Sequence, residues 1–544
     1  MERSPELEAS AKVKEMANSK EISLSAAPQA ISLPVNGLSD KEGKGTAETQ
    51  STTTLTALPK PSDSRRTAQT SRRKSQFKEK RIKVKATLGI LTKEQRHEAG
   101  KVLRENCPRQ SHGDVVLGQG ERDIVKLIEV SNKDRLENLI PVRHGRMVQS
   151  AFAYFRGTAM VQAHDLKGTP SSGIIVHSCG DCHLMNFGGF ATPERNIVFD
   201  INDFDETLPA PFEWDLKRLA ASFAVAARWR GFSDDQAREM AVETAASYRK
   251  SMKKRADTGV LEAWYSRISV ADLQALIGGD IDLSGRVNKK IAEARKSSHE
   301  HVFHKLTAPS KGLPRIVDQP PLIYHDTKLL NERAVMAVFK QYRETLPEER
   351  RILFDRFKLV DLAFKVVGVG SVGTRCIVAL LLAAPDDPLF LQIKEARPSV
   401  LERYTGHARV AHNGQRVVVG QRLMQSASDI FLGWCRGPKG RDAYFRQLRD
   451  MKISADVETQ PPDIMRAYAK LCGLTLARAH DKAGDAAMIA GYLGSSDQFD
   501  EAIGDYAIGY ADEIERDYRT FVRAVRSGRL KTDVSPSHLE TALR

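Results

Sequence analysis

Long apolar runs and clustered cysteines are both scarce in this chain of 544 residues. The longest apolar run, from Cys376 to Ala384, is far shorter than the roughly 20 residues that a membrane-spanning helix needs. Six cysteines, four of them isolated, are too few for a disulfide framework in a chain of this length. The N-terminal segment is polar and lacks the apolar core of a signal peptide. These absences predict a cytoplasmic protein without a membrane span.

Aromatic residues are nearly missing from residues 1–93, where Phe77 stands alone. Between Arg65 and Lys85 ten basic residues face one acid, Glu79, so this stretch carries most of the net charge of +14. Such a segment cannot bury enough apolar surface to offset the entropy lost on ordering, and we predict a disordered basic extension. A basic tail of this kind either contacts nucleic acid or an anionic surface, or is a solvated extension.

Helical and strand-like patterns divide the rest of the chain into three regions. Helical periodicity dominates residues 94–355, strand-like runs and turns dominate 356–460, and helices return over 461–544. The predicted helices are 120–131, 146–166, 214–229, 234–255, 286–305 and 332–347, and the predicted strands of the middle region are 374–382, 389–394 and 415–424. Residues 385–388 form the turn between the first two of these strands. This layout predicts an α+β fold, with helical segments flanking one compact antiparallel sheet.

The stretch "HSCGDCHLMN", residues 177–186, contains a C-x-x-C-H pattern. The pattern fits covalent haem attachment, a redox dithiol, or a zinc site built from His177, Cys179, Cys182 and His183. Haem of this type is attached outside the cytoplasm, a redox C-x-x-C opens a helix after a strand, and structural zinc uses two ligand pairs. No second pair with that spacing occurs in the chain. We therefore interpret the cysteines as bracketing a catalytic residue, Asp181.

Asp181 is followed five residues later by Asn186, and a second strand-like run ends at Asp203 and Asp205. Phosphoryl transfer to a hydroxyl group needs one carboxylate to orient the acceptor, and a carboxamide and further carboxylates to hold Mg²⁺. The spacing therefore predicts Asp181, Asn186 and Asp203 as catalytic residues, with Asn186, Asp203 and Asp205 as metal ligands. The segment resembles the aminoglycoside phosphotransferase and choline kinase pattern "HGDxHxxN … DFD … DL", and departs from it in having Cys179 at the first His.

A glycine-rich turn lies downstream of these acids, at Gly368, Gly370 and Gly373. Glycines at a strand turn allow backbone N–H groups to approach phosphates, and Lys394 on the second strand of the following hairpin can pair with them. Glu402 is the predicted ion-pair partner of Lys394. A dinucleotide-binding role is disfavoured because a hairpin, not a helix, follows the glycines. The sequence thus predicts a kinase-like, two-lobed fold in circularly permuted order, with the helical catalytic lobe first and the nucleotide-binding sheet second.

Several longer runs also resemble the bacterial domain-of-unknown-function family 2252 over roughly residues 95–525. They include "CGDCHLMNFGGF", "VFDINDFDETLPAPFEWDLKRLAAS", "GQRLMQSASDIFLGW" and "LARAHDKAGD". The resemblance implies a cytoplasmic protein with a suspected kinase-like relationship and no assigned substrate.

The residues therefore predict an ATP- and Mg²⁺-dependent phosphotransferase that acts on an unidentified hydroxyl acceptor. The alternative is a catalytically silent, nucleotide-binding regulatory protein. Three arginines upstream of the acids, Arg143, Arg146 and Arg156, either bind phosphate or an acidic substrate or form salt bridges on a helix face.

Overall fold

A computed structural model of the chain describes residues 90–117, 122–277, 281–296, 299–310, 312–326, 331–366, 368–448 and 451–535. Most of the predicted disordered extension, residues 1–89 with its basic stretch, lies outside the described residues. The first helix, α1, spans Lys93–Val102. It begins in a capping box, in which the Thr92 side chain accepts a hydrogen bond from the Gln95 backbone N–H.

Four short helices follow, and they lead into the first strand of the site. They are α2 (Ile124–Asn132), α3 (Ile140–Met147), α4 (Ala151–Gly157) and α5 (Ala159–Leu166). The single helix predicted over 146–166 is wrong, because two local breaks divide it. Ser150 has an extended backbone and caps α4 by accepting from the Ala153 N–H at 3.0 Å. Thr158, at φ −121°, separates α4 from α5.

Two small sheets position the loops that carry the acids. Strand β1 (Ile175–Ser178) pairs antiparallel with β4 (Leu208–Pro211). Strands β2 (Phe187–Ala191) and β3 (Ile197–Ile201) pair with each other, and a later strand, β13 (Ile453–Ser454), joins β2 from the other side. Residues 179–186 therefore connect β1 to β2, and residues 202–207 connect β3 to β4.

Long helices from both halves of the chain form the core beneath these sheets. They are α6 (Phe212–Trp229), α7 (Asp234–Arg255), α16 (Pro462–Ala483), α17 (Ala486–Leu493) and α18 (Gln498–Arg526). Helix α16 packs along α7, and α18 packs along α6 and α7. Small side chains on α6, among them Ala220, Ala224 and Ala227, are fully buried and allow this close approach. The C-terminal helices thus complete the helical part of the fold.

A six-stranded antiparallel sheet occupies the middle of the chain, with the order β11-β12-β10-β9-β8-β7. Its strands are β7 (Ile323–Tyr324), β8 (Lys358–Lys365), β9 (Cys376–Ala384), β10 (Asp387–Glu395), β11 (Gly433–Arg436) and β12 (Asp442–Gln447). Helices α12 (Glu332–Glu344) and α13 (Glu348–Phe354) pack on it, with Tyr342 stacked on Phe445 at 3.9 Å between ring centroids. The predicted α+β class with an antiparallel sheet is confirmed, and two helices upstream of residue 356 belong with the sheet.

An insertion between the helical part and the sheet holds the remaining upstream elements: α8 (Val260–Tyr265), α9 (Val270–Ile277), α10 (Ile281–Lys296), α11 (His299–Leu306), β5 (Thr307–Ser310) and β6 (Leu313–Ile316). The helix predicted over 286–305 agrees with α10 and α11 in the residues that the structure describes. In the described part of the chain, no helix is both long and apolar enough to cross a bilayer, as predicted.

The strand predicted over 415–424 is wrong, because these residues form a helix, α15 (Asn413–Met424). A four-residue helix, α14 (Glu402–Thr405), precedes it. The run of three valines has a high strand propensity, but propensity is overridden when burial follows the helical period. Val417, Gln421 and Met424 are buried at the i, i+4, i+7 spacing of one helix face.

Candidate functional site

The loop between β1 and β2 places Asp181 at the edge of a cleft. Gly180 has φ +83°, and a Cβ atom there would lie 2.3 Å from the backbone oxygen of Glu206, so the turn requires glycine. The Asp215 carboxylate at the start of α6 accepts hydrogen bonds from the N–H groups of Cys179 and Gly180, at 2.8 and 3.0 Å. Asp215 therefore braces this loop.

Asp181 is held in a fixed orientation by a buried arginine. The Arg218 Nε donates to its Oδ1 at 2.7 Å, and Arg218 itself is anchored by the Gln162 side-chain oxygen at 2.6 Å. The Asp181 side chain remains 21% exposed, whereas that of Arg218 is 2% exposed. Burial lowers the pKa of the neighbouring His183 to about 3, so this imidazole is neutral at physiological pH. The carboxylate thus faces the cleft from a rigid support.

Asn186 lies at the other end of the same loop and contacts the backbone of Asp181. Its Nδ2 donates to the Asp181 carbonyl oxygen at 2.7 Å, and its own backbone carbonyl accepts from the Asn202 N–H at 2.7 Å. The second contact ties the loop to the residue before Asp203. The three predicted catalytic residues are therefore joined through the backbone of two adjacent loops.

Asp203 and Asp205 meet the sheet lysine directly. The Lys394 Nζ lies 2.6 Å from Asp205 Oδ2 and 3.8 Å from Asp203 Oδ2. Lys394 is 2% exposed, and the two aspartate side chains are 34% and 28% exposed. The lysine stem is therefore buried in the sheet while the carboxylates border the open cleft. Two of the three predicted metal ligands, Asp203 and Asp205, therefore form one cluster with the predicted phosphate-binding lysine.

The charges of this cluster shift the pKa values of the two aspartates in opposite directions. Burial and the neighbouring Asp205 charge raise the pKa of Asp203. Burial acts on Asp205 in the same direction, but Lys394 and the Tyr444 hydroxyl, which donates at 2.7 Å, lower the pKa of Asp205 overall. Despite its burial, the pKa of Lys394 is raised by the charges of Asp203 and Asp205. Asp205 and Lys394 are consequently both ionised at neutral pH.

The glycine-rich turn connects β8 to β9 on the same side of the cleft. Gly368 and Gly373 have φ +67° and +87°, the left-handed backbone that favours glycine. Residues of the helical part hold the turn in place: the Leu136 N–H donates to Gly373 O at 2.8 Å, and the Arg135 Nη1 donates to Val372 O at 2.5 Å. The turn also approaches the helical part closely: a Cβ atom at Gly370 would lie 3.2 Å from the Arg156 carbonyl oxygen, and one at Gly373 would lie 3.1 Å from the Arg135 Cβ.

One cleft collects most of the residues predicted from the sequence. Asp181, Asn186, Asp203, Asp205 and Gly370 line it, and Lys394 reaches it through Asp205. Gly368 and Gly373 form the ends of the turn and are not among its lining residues.

Glu402, the predicted partner of Lys394, does not pair with it. Glu402 lies on the short helix α14, where its carboxylate is 3.5 Å from His407 Nδ1. The position that a helix glutamate would take beside Lys394 is filled by Asp205. Because Asp205 lies in the loop between β3 and β4, far upstream, no spacing relative to Lys394 in the sequence points to this pairing.

Four arginines that the motifs do not include also line the cleft: Arg135, Arg143, Arg156 and Arg397. Arg143 and Arg156 belong to the arginine-rich stretch noted in the sequence, and neither makes an ion pair within the described residues. The third member, Arg146, donates instead to the Gly368 carbonyl oxygen. The sequence shows only that arginines are frequent in this stretch. The fold shows that Arg143 and Arg156 line the cleft that contains the acids.

The two loop cysteines are buried next to Asp215. Their Sγ atoms and an Asp215 oxygen all lie within 4.8 Å of one another, a grouping that could hold a metal ion. Both carboxylate oxygens of Asp215 already accept backbone hydrogen bonds from this loop. Burial raises the pKa of Cys182 to about 11, so its thiol is protonated at neutral pH. The cluster braces the turn that carries Asp181.

A larger and mostly apolar cavity of 640 Å³ lies elsewhere, between α9, α10, α16 and the β2–β3 sheet. Phe199, Leu273, Ile291 and Tyr468 are among its lining residues. It contains none of the predicted catalytic or nucleotide-binding residues, so the smaller polar cleft is the candidate site.

Comparison with known proteins identifies the family of the chain. The sequence model of DUF2252, described as an uncharacterized protein conserved in bacteria, matches residues 135–524. The match covers well over half of the chain and includes every charged residue that lines the candidate cleft, so the chain belongs to this family. No match was found among curated proteins or among solved structures.

Proposed function

We propose that this member of the DUF2252 family is an ATP- and Mg²⁺-dependent phosphotransferase of the kinase-like type. One observation carries the proposal: Lys394 of the sheet and Asp205 of the helical part, 189 residues apart in sequence, form an ion pair of 2.6 Å. The two residues are predicted from two separate motifs. Two unrelated motifs would not be expected to lie in contact in the same cleft.

The donor set of the cleft fits Mg²⁺, a hard cation that prefers oxygen ligands. Asp203 and Asp205 provide carboxylates beside the opening, and Asn186 provides a carboxamide. The Asn186 Nδ2 already donates to the Asp181 carbonyl, which orients the amide and leaves its oxygen as the group available to a cation. These three side chains are therefore proposed to hold the metal ion.

The nucleotide phosphates are proposed to bind between the glycine-rich turn and Lys394. Strands β8, β9 and β10 form an antiparallel meander, with the turn between the first two strands and Lys394 on the third. Kinases place their glycine-rich loop and lysine in this order. The acid-bearing loops precede this meander in the chain, so the proposed fold is a kinase-like fold in circularly permuted order.

Asp181 is proposed to orient the acceptor hydroxyl and to accept its proton. Bound Mg·ATP supplies the phosphoryl group, and the chain supplies the position of the hydroxyl and the electrostatic environment. The ion pair with Arg218 fixes the Asp181 carboxylate, and fixed orientation is the main contribution that such a residue makes to phosphoryl transfer.

The alternative, a silent nucleotide-binding regulator, shares the nucleotide site and differs only in turnover. Because Asp181, Asn186, Asp203 and Lys394 are all present and all adjoin one cleft, the enzyme is the better-supported proposal.

Isothermal calorimetry of the full chain with ATP, with and without Mg²⁺, tests the proposal. We expect binding that requires Mg²⁺ and that weakens at least about tenfold in Asp203→Asn, which removes one metal carboxylate. Binding that is indifferent both to Mg²⁺ and to this substitution would contradict the proposed metal site.

A further inference from the structure

The cleft contains four arginines beside its carboxylates. Arg135, Arg143, Arg156 and Arg397 line it. In the described part of the chain, none of the four has a carboxylate oxygen within 4 Å, the distance that defines the ion pairs found elsewhere in the fold. Guanidinium groups that line a cleft without an ion-pair partner are well placed to bind an anion.

The acids of the cleft are already engaged by other groups. Asp181 pairs with Arg218, and Asp203 and Asp205 pair with Lys394. Glu395 pairs with Arg375 and Arg441, at 3.1 and 3.4 Å. Glu206 accepts from the Val400 N–H at 2.7 Å, and burial raises its pKa.

Arg143 is the most buried of the four, with 1% of its surface exposed. Its Nη1 donates to Asn132 Oδ1 and its Nη2 to the Gly157 carbonyl, both at 2.6 Å, which leaves the buried Nε without a partner. Burial and the charge of Arg397 lower the pKa of Arg143 to about 10. The guanidinium is therefore still charged at neutral pH, is held rigidly, and has no partner for its Nε.

Arg156 lines the same cleft as Asp181. Its Nε is also buried without a hydrogen-bond partner, and its guanidinium contacts the Phe152 ring at 5.8 Å from the centroid. Burial lowers the pKa of Arg156, and the charges of Asp181 and Glu458 oppose this shift. Arg156 thus shares the cleft with Asp181 and interacts with its charge while keeping its own Nε donor unused.

We propose that the acceptor carries a phosphate group, which binds Arg143 and Arg156 beside Asp181. This inference rests on the proposed phosphotransferase function and names the class of its acceptor, a hydroxyl compound that is already a phosphate monoester. Guanidinium groups match phosphate oxygens in geometry and charge, and several arginines suit a dianion. The nucleotide phosphates have a separate proposed partner in Lys394.

The first test measures inorganic phosphate binding to the nucleotide-free full chain by calorimetry at constant ionic strength. We expect saturable binding that weakens about tenfold or more in Arg156→Gln, as for the loss of a charge-assisted hydrogen bond. Arg156→Lys should retain part of the affinity because the charge remains. Arg333→Gln, which alters an exposed arginine on α12, is the matched control and should bind as the parent does. Equal phosphate affinity in Arg156→Gln and the parent would overturn the proposal.

The second test separates an acceptor phosphate from a phosphate of the nucleotide. With saturating Mg·ATP, phosphate should still bind with a similar affinity. Competition between phosphate and Mg·ATP, together with weaker Mg·ATP binding in Arg156→Gln, would overturn the assignment to the acceptor. If phosphate binds through Arg156 but Mg·ATP does not bind at all, the phosphotransferase proposal fails while the anion site stands.

Discussion

Lys394 Nζ lies 2.6 Å from Asp205 Oδ2, and this contact joins the sheet to the loop that follows β3. Tyr444, on the neighbouring strand β12, donates to the other oxygen of the same carboxylate at 2.7 Å. Asp205 is therefore held from two strands of the sheet, and Asp203, two residues earlier, is left more exposed to the cleft. The contact therefore leaves Asp203 as the less engaged of the two carboxylates.

The two carboxylates that we assign to the acceptor and to the metal should give different phenotypes. Asp181→Asn removes the acceptor-orienting group, so Mg·ATP binding should persist while turnover falls by roughly 10²–10⁴. Asp203→Asn should weaken Mg·ATP binding and also lower turnover. Turnover is measured as phosphate released from ATP, with and without added hydroxyl acceptors. Equal loss of nucleotide binding in both variants would make Asp181 a ligand or a structural residue.

Gly180 should tolerate a side chain far less than another glycine with a similar backbone. Gly231 has φ +77°, and a Cβ atom added there would have no neighbour within 4 Å, so Gly231→Ala should cost about 1–2 kcal/mol from backbone strain alone. Gly180→Ala adds a clash with the Glu206 carbonyl oxygen and should cost more, with loss of the Mg·ATP response. Urea unfolding of the two variants compares the costs. Equal destabilisation, with nucleotide binding retained, would show that the loop adapts.

Acidification should destabilise the fold through its buried histidines. Burial lowers the pKa of His112 to about 3 and that of His144 to about 4. Below the ordinary pKa of about 6.5, the unfolded chain binds protons that the folded chain does not, so stability falls as the pH drops from about 6.5 toward 4. Each histidine contributes a slope of about 1.4 kcal/mol per pH unit in this window.

Urea unfolding between pH 7.5 and pH 5 measures this slope. His112→Gln should reduce this slope by about 1.4 kcal/mol per pH unit, the share of one histidine. His407→Gln, which replaces a side chain that is 93% exposed, should leave the slope unchanged. A parent protein whose stability is flat over this range would contradict the burial of neutral histidines.

Glu402 provides a test of the structure against the sequence motif. The motif makes Glu402 the ion-pair partner of Lys394, but Glu402 contacts His407 and Lys394 contacts Asp205. Glu402→Gln should therefore leave the affinity for Mg·ATP within about threefold of the parent value, since altering an ion pair with an exposed partner costs under about 1 kcal/mol. Calorimetry measures this affinity. A tenfold loss of Mg·ATP affinity in Glu402→Gln would indicate that Glu402 belongs to the nucleotide site after all.

The parts of the site that local sequence could predict are those that local geometry determines. Glycine spacing marks the turn at Gly368–Gly373, and the alternation of strand and polar loop marks Asp181 and Asp203. The sequence does not indicate the helix at 413–424, because its valines favour a strand in isolation. Only the packing of Val417 against the core shows the helix.

The partners of these residues could not be predicted in the same way. Asp205 and Lys394 are in contact because the loop between β3 and β4 packs against β10 of the six-stranded sheet. No local sequence pattern predicts a contact between such distant residues. The cleft arginines are a similar case. Arg143 and Arg156 resemble surface charges in the sequence, but the fold places them in the same cleft as Asp181. Neither forms an ion pair within the described residues.

The central claim is that two distant segments assemble one nucleotide site, and a thermal-shift measurement with Mg·ATP on three proteins tests it most directly. The parent should melt at a higher temperature with Mg·ATP, because a ligand that binds only the folded state stabilises it. Lys394→Met should lower the melting temperature without nucleotide, since it leaves Asp205 unpaired, and should lose the Mg·ATP shift. Lys358→Met, on the exposed start of β8, should keep the shift in full. A folded Lys394→Met protein with an undiminished Mg·ATP shift would contradict the account.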